Sequence, residues 1–170
     1  MGQAWEELIG VLHEIAGLYL EMKVLAEKKR DALINVRVDV VNSTIVKEEA
    51  LIKKINTLET KRQELVEQIA KDGNWMDEKI KLLDLVERAP EEFSLPIKEV
   101  SQNLADIIMK IAMLNNINNN LLKQAMHIIE YNINILSRAQ ATPFYDAGGG
   151  QNHEGKTGNN MGLSVFDRKA

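Results

Sequence analysis

The sequence predicts an all-α protein: an elongated, antiparallel, coiled-coil-like bundle of three long helices and one short one, with a flexible C-terminal tail. Three observations carry this. Apolar residues recur at alternating steps of three and four along most of the chain to Arg138, which keeps one side of an α-helix apolar. The 3 prolines all lie beyond position 89, so little interrupts helices in the first half. The one β-branched run, Val36, Val38, Val40 and Val41, has no second strand-like segment to pair with.

The first helix is expected from about Trp5 to Leu33. Its seam runs Trp5, Leu8, Leu12, Ile15, Tyr19, Met22, Ala26 and Leu33, with Lys29 the single lapse. Val11, Leu18 and Leu25 widen that face toward a further neighbour. A turn at Asn35 to Asp39 follows, with Asp39 placed to cap the next helix. That second helix, about Val40 to Lys71, carries Val41, Leu51, Ile55, Leu58, Leu65 and Ile69, with Glu48 and Arg62 at in-register positions. Its many charges mark a solvated outer face.

Gly73 suits a helix C-cap and Asn74 an N-cap. A third, short helix is expected from about Trp75 to Arg88 on the strength of Ile80, Leu83 and Val86, with Asp77 and Lys81 paired on its surface. Ala89-Pro90 ends it, since proline disfavours helical geometry in the residue before it. Pro96 then suits the first turn of a long fourth helix reaching about Arg138 to Thr142. These boundaries give a bundle domain at 1–142 and a Gly/Asn-rich tail at 143–170. Within that tail Leu163, Val165 and Phe166 form a small apolar cluster.

Composition excludes several functions. A net charge of −4 is not that of a general nucleic-acid binder, and Lys28-Lys29-Arg30 is set among Glu21, Glu27 and Asp31. With 0 cysteines there is neither a disulfide nor a thiolate metal site. No run of apolar residues is long enough to span a bilayer. The start, Gln3-Ala4-Trp5-Glu6-Glu7, lacks the basic and apolar regions of a secretory signal, so a cytoplasmic protein is expected.

Catalysis has no visible address. A di-metal bundle needs Glu-x-x-His on two helices, whereas His127-x-x-Glu130 is reversed and occurs once. Gly148-Gly149-Gly150 lacks the Lys-Ser/Thr ending of a phosphate loop. No nucleophile–base pair suggests itself. Neither an enzyme, nor a cofactor, nor a metal is expected.

The fourth helix holds the functional interest. Its main seam is Val100, Leu104, Ile107, Ile111, Leu114, Leu121, Ala125, Ile128 and Ile135, with Asn118 and Asn132 in the same row. A polar residue in such a row fixes register and partner choice at some expense of stability. In the second half another seam joins it: Leu122, Met126, Ile129, Ile133 and Leu136. On the same face the first half reads Ser101, Ala105, Ile108, Ala112, Asn115 and Asn119, mostly small or polar. So the apolar surface widens toward the C-terminus. Two explanations stand: deeper burial at one end of the bundle, or a partner from outside it.

A family resemblance bears on that choice. Lys29-Arg30-Asp31-Ala32-Leu33 ends the first helix, and Leu58-Glu59-x-x-Arg62 lies in the second. Asn115-x-x-Asn118-x-x-Leu121-Leu122 follows in the long helix, and Tyr145 with glycines lies beyond it. In order and spacing this layout resembles the FlgN family of flagellar type III export chaperones. The resemblance implies a cytosolic bundle that binds the C-terminal segment of hook-associated (hook-filament junction) subunits and delivers them to the export apparatus. It places partner binding on the last helix, at Asn118, Leu121, Leu122, Met126, Ile129, Ile133 and Leu136. The alternative is a self-associating coiled-coil adaptor in which the added seam is a homodimer interface.

Overall fold

In a computed structural model the described residues are 2–75, 80 and 82–140, the side chains of Leu83, Ala139 and Gln140 excepted. The readings of Asp77, Lys81 and the tail, Tyr145 and the Leu163–Phe166 cluster included, fall outside them. Four helices are present among the described residues: α1 Gly2–Ile34, α2 Val38–Asp72, α3 Leu82–Arg88 and α4 Glu91–Gln140. The protein is an all-α helical bundle. It divides into two compact units, Met1–Asn132 and Ile133–Ala170. The described part of the second is the end of α4.

In the first unit α1 and α2 form an antiparallel hairpin. Trp5, Leu8, Ile15 and neighbours meet Leu65, Val66 and Ile69 at one end, and Met22 meets Leu51 and Ile55 further along. The first half of α4 completes the core, running parallel to α1. Ile97, Val100 and Leu104 join the Trp5 cluster, and Ile107 and Ile111 join Met22. Asn118 then reaches Ala26 near the end of α1. Most positions of the α1 and α2 rows are buried, while Tyr19, Leu33, Val41 and Leu58 are half-buried. Thr44, seven residues before Leu51 and so in register with the α2 row, is a buried polar residue whose hydroxyl donates to the Val41 carbonyl at 2.7 Å.

The α1–α2 connection is a Schellman turn. Arg37 N–H donates to the Ala32 carbonyl and Val36 N–H to Leu33, with Val36 at φ 54°. A β-branched residue is unusual in the left-handed region and is strained there. Helix α2 begins at Val38, so Asp39 is not its cap. Arg37 holds the cap position without a side-chain bond, and Asp39 lies in the first turn, where its charge favours the helix dipole.

At the far end of α2 the same motif recurs. Trp75 N–H donates to the Ala70 carbonyl and Asn74 N–H to Lys71. Gly73 is the C-cap, but at φ −86°, and Asn74 takes the left-handed position at φ 52°. Asn74 therefore closes α2 and caps no following helix. Trp75 is not helical either, and α3 starts only at Leu82. The indole instead folds back beside Trp5, ring centroids 6.3 Å apart, with the Arg88 guanidinium 5.2 Å above it. Phe93 lies nearly parallel to the Trp5 ring, centroids 6.2 Å apart. Leu85 of α3, fully buried, plugs this end of the bundle.

Pro90 ends the α3 segment and accepts the first bonds of α4, from Phe93 and Ser94 N–H. Pro96 consequently lies inside α4 and not in its opening turn. The helix carries on regardless, losing one backbone donor.

Candidate partner-binding face

Asn118 fixes how α4 lies on α1. Its side chain is buried, and Nδ2 donates to the Ala26 carbonyl at 2.9 Å, while Oδ1 is buried without a partner. Continued along two parallel helices, this register sets Met126 level with Ile34, the last residue of α1. From there to Asn132 the first unit offers α4 no further turn of α1 to pack against.

Exposure follows that register. Ile97 to Leu114 are buried along the seam, Leu121 and Ala125 are half-buried, and every residue from Met126 to Arg138 is exposed. Ile128 at 61% and Ile135 at 47% exposed are thus corrections: the main seam leaves the core after Asn118. Asn132, in the same row, is exposed as well. Leu122, Met126 and Ile129 are 46%, 54% and 57% exposed. In the second unit Ile133 and Leu136 are exposed.

Helical geometry relates these residues to the core. Positions about 18 apart, five turns, fall on one line of a straight α-helix. Leu122 and Ile129 therefore continue the line of buried Leu104 and Ile111. A strict seven-residue repeat drifts about 20° per heptad from that line. The added seam is thus the core face of α4 prolonged past the hairpin, and Ile128 has drifted to its flank. It is not the continuation of Ser101 and Ala105.

Further exposed groups on α4 lie away from this line and were not indicated by the paired seams. Tyr131 adds an exposed aromatic ring at 65%. Met109 and Met113 expose a thioether row on the outer side of α4's first half, its signal being a four-residue spacing. His127 Nδ1 lies 3.7 Å from Glu130 Oε2, both widely exposed, a flanking contact of the kind that contributes little. No group of three or more His, Asp or Glu side chains able to hold a metal occurs among the described residues. No helix among them is long and apolar enough to cross a membrane.

An antiparallel α1–α2 hairpin with a third long helix, α4, against it is the bundle the apolar rows anticipated. The FlgN protein family model matches residues 1–153. The chain belongs to the FlgN family. No curated protein and no solved structure matched it. As a FlgN-family member it is a flagellar export chaperone in general terms, from a family of chaperones and not of enzymes. Its Asn115-x-x-Asn118-x-x-Leu121-Leu122 segment lies where α4 leaves the core. Asn118 faces inward to α1, Leu121 is half-covered and Leu122 is open.

Proposed function

We propose that this chain binds the C-terminal segment of hook-associated flagellar subunits along the distal part of α4. It guards that segment from aggregation in the cytoplasm and hands it to the flagellar type III export apparatus. One observation carries the reading: an apolar helix face exposed from Leu122 through Met126 and Ile129, continued by Ile133 and Leu136. Contiguous apolar surface on a soluble protein marks an interaction site. An amphipathic partner helix reads such a row through positions three and four apart, and Met126 adapts to differing partners.

Leu121, Leu122, Met126, Ile129, Ile133 and Leu136 are the contacts, while Asn118 sets how far α4 extends. Burying each leucine or isoleucine contributes about 1.5–3 kcal/mol before the partner's ordering is charged against it. Several together offset a coupled-folding cost of about 2–5 kcal/mol.

The test is titration of a fluorescent C-terminal peptide from a hook-associated subunit into the full chain. Ile129→Asp with Ile133→Asp should abolish binding while helical circular dichroism is retained. Undiminished binding by that variant would move the client to another face.

A further inference from the structure

The tip of the α1–α2 hairpin is apolar and open. Ile34, Val36 and Val38 are all exposed, at the last residue of α1, in the turn and at the first residue of α2. Ile34 falls about 18 residues after Ala16, which is buried in the core, so it lies on the inner line of α1. Ile129 stands in the same relation to buried Ile111 on α4. Met126 is level with Ile34 by the Asn118–Ala26 register, so the two uncovered lines meet at one height. The tip is a floor, and the exposed face of α4 a wall beside it.

Val36 is the anomaly of this tip. It holds φ 54°, a conformation costly for a β-branched residue, and its side chain is 80% exposed. The turn is made by backbone bonds to Ala32 and Leu33, which glycine or asparagine would form without that strain. Within this chain the isopropyl group adds strain and little burial. Strained residues cluster at ligand contacts, so this valine points to a contact made outside the chain.

Charge says what kind of partner fits. Arg37 and Asp39 are the charged residues of the tip, and Lys123 and Glu130 those of α4 from Leu122 to Asn132, His127 apart. Each pair carries one residue of each sign, so neither surface favours an acidic or a basic partner. What remains is apolar contact, on two surfaces set at an angle.

We propose that the hairpin tip is a second wall of the client site. The client's amphipathic helix lays its apolar row on Leu122, Met126 and Ile129 and rests one end on Ile34, Val36 and Val38. This contact rests on the client assignment of α4 and adds to it. A helix face alone lets a partner slide along it by a turn, whereas a floor stops the slide. The tip thus sets the client's register on α4, as Asn118 sets that of α4 on α1.

The test titrates a fluorescent C-terminal peptide of a hook-associated subunit into the full chain and into Val36→Gly, Val36→Asn and Ile34→Ser variants. Each should bind roughly tenfold more weakly, the loss of one buried apolar contact. Glycine and asparagine both suit the left-handed turn, so thermal melts should show these two variants at least as stable as the wild type. Weaker binding by a more stable protein is not unfolding. Leu20→Ser, which removes an exposed apolar side chain elsewhere on α1, should bind as the wild type does. No binding by the wild type, or undiminished binding by Ile129→Asp with Ile133→Asp, would remove the client assignment itself. Binding that is lost in that double variant yet unchanged in the Val36 and Ile34 variants would overturn the tip contact alone. So would tighter binding by those variants, which would mark the tip as the seat of a competing segment of this chain. A fall in the client-free mass on sedimentation in the Val36 variants would give the tip to a second copy, and overturn it too.

Discussion

Lys29 Nζ and Glu48 Oε2 meet at 2.6 Å across the α1–α2 hairpin, each at a break in its own helix's apolar seam. The two interruptions complete one another. With side chains only 17% and 13% exposed, neither charge has full access to water. Glu48→Ala should cost about 1–3 kcal/mol, since it leaves a shielded ammonium unpartnered. Lys29→Met with Glu48→Leu should be near neutral or stabilising, as an apolar pair needs no desolvation. Urea denaturation of the single and double variants gives the coupling.

Asn118→Asp replaces the donor to the Ala26 carbonyl with a buried carboxylate facing another oxygen. It should cost about 2–3 kcal/mol at neutral pH. The carboxyl of this variant would hold its proton more tightly folded than unfolded, so stability returns as pH falls below its raised folded value. Thermal melts at acidic and neutral pH would show the deficit shrinking.

Val36 and Gly73 make opposite predictions about turn positions. Val36→Gly removes a β-branched side chain from φ 54°, where it is 80% exposed and adds little burial. A gain of about 1 kcal/mol is expected, the left-handed penalty less the flexibility glycine adds to the unfolded chain.

Gly73→Ala should destabilise, although its φ of −86° suits any residue. An added Cβ would come within 2.6 Å of Trp75 Nε1 and 2.8 Å of Cε2. Displacing the indole loosens its contacts with Trp5 and Arg88, at a cost of about 1–3 kcal/mol. Tryptophan fluorescence should shift with the loss.

Burial of the Tyr19 phenol, with the Glu59 carboxylate as a lesser cause, raises its pKa above the usual 10.0. The folded state then holds this proton more tightly than the unfolded one. The contribution is fully present below the ordinary tyrosine value and is lost as pH rises through the raised folded value. Absorbance at alkaline pH should show one late-ionising tyrosinate that vanishes in Tyr19→Phe.

The helices and most buried rows were legible because long, regular apolar spacing leaves few alternatives. Lys29 and Glu48 were each visible as lapses, but pairing them needs the hairpin register. The partner of Asn118 is a backbone carbonyl, which leaves no mark in sequence. Trp75 has the surroundings of a helix start, yet its ring gains more by folding back on Trp5. The fate of Ile128 turned on the difference between 3.5 and 3.6 residues per turn, resolved only by which residues have neighbours. The widened apolar width at Leu122, Met126, Ile129, Ile133 and Leu136 was legible in the sequence, and in the structure these side chains are exposed.

The sequence separation of 92 between Asn118 and Ala26 has a kinetic corollary. The α1–α2 hairpin closes through a connection of a few residues, so it can form as soon as both helices leave the ribosome. Helix α4 must close a far longer loop, which slows its docking relative to the hairpin. Until it docks, the hairpin's core side is uncovered, and a seven-residue slip of α4 would keep much of the same apolar row against it. The Asn118 amide rejects that slip, because only one setting gives it the Ala26 carbonyl. The register of α4 against α1 is therefore decided last in folding.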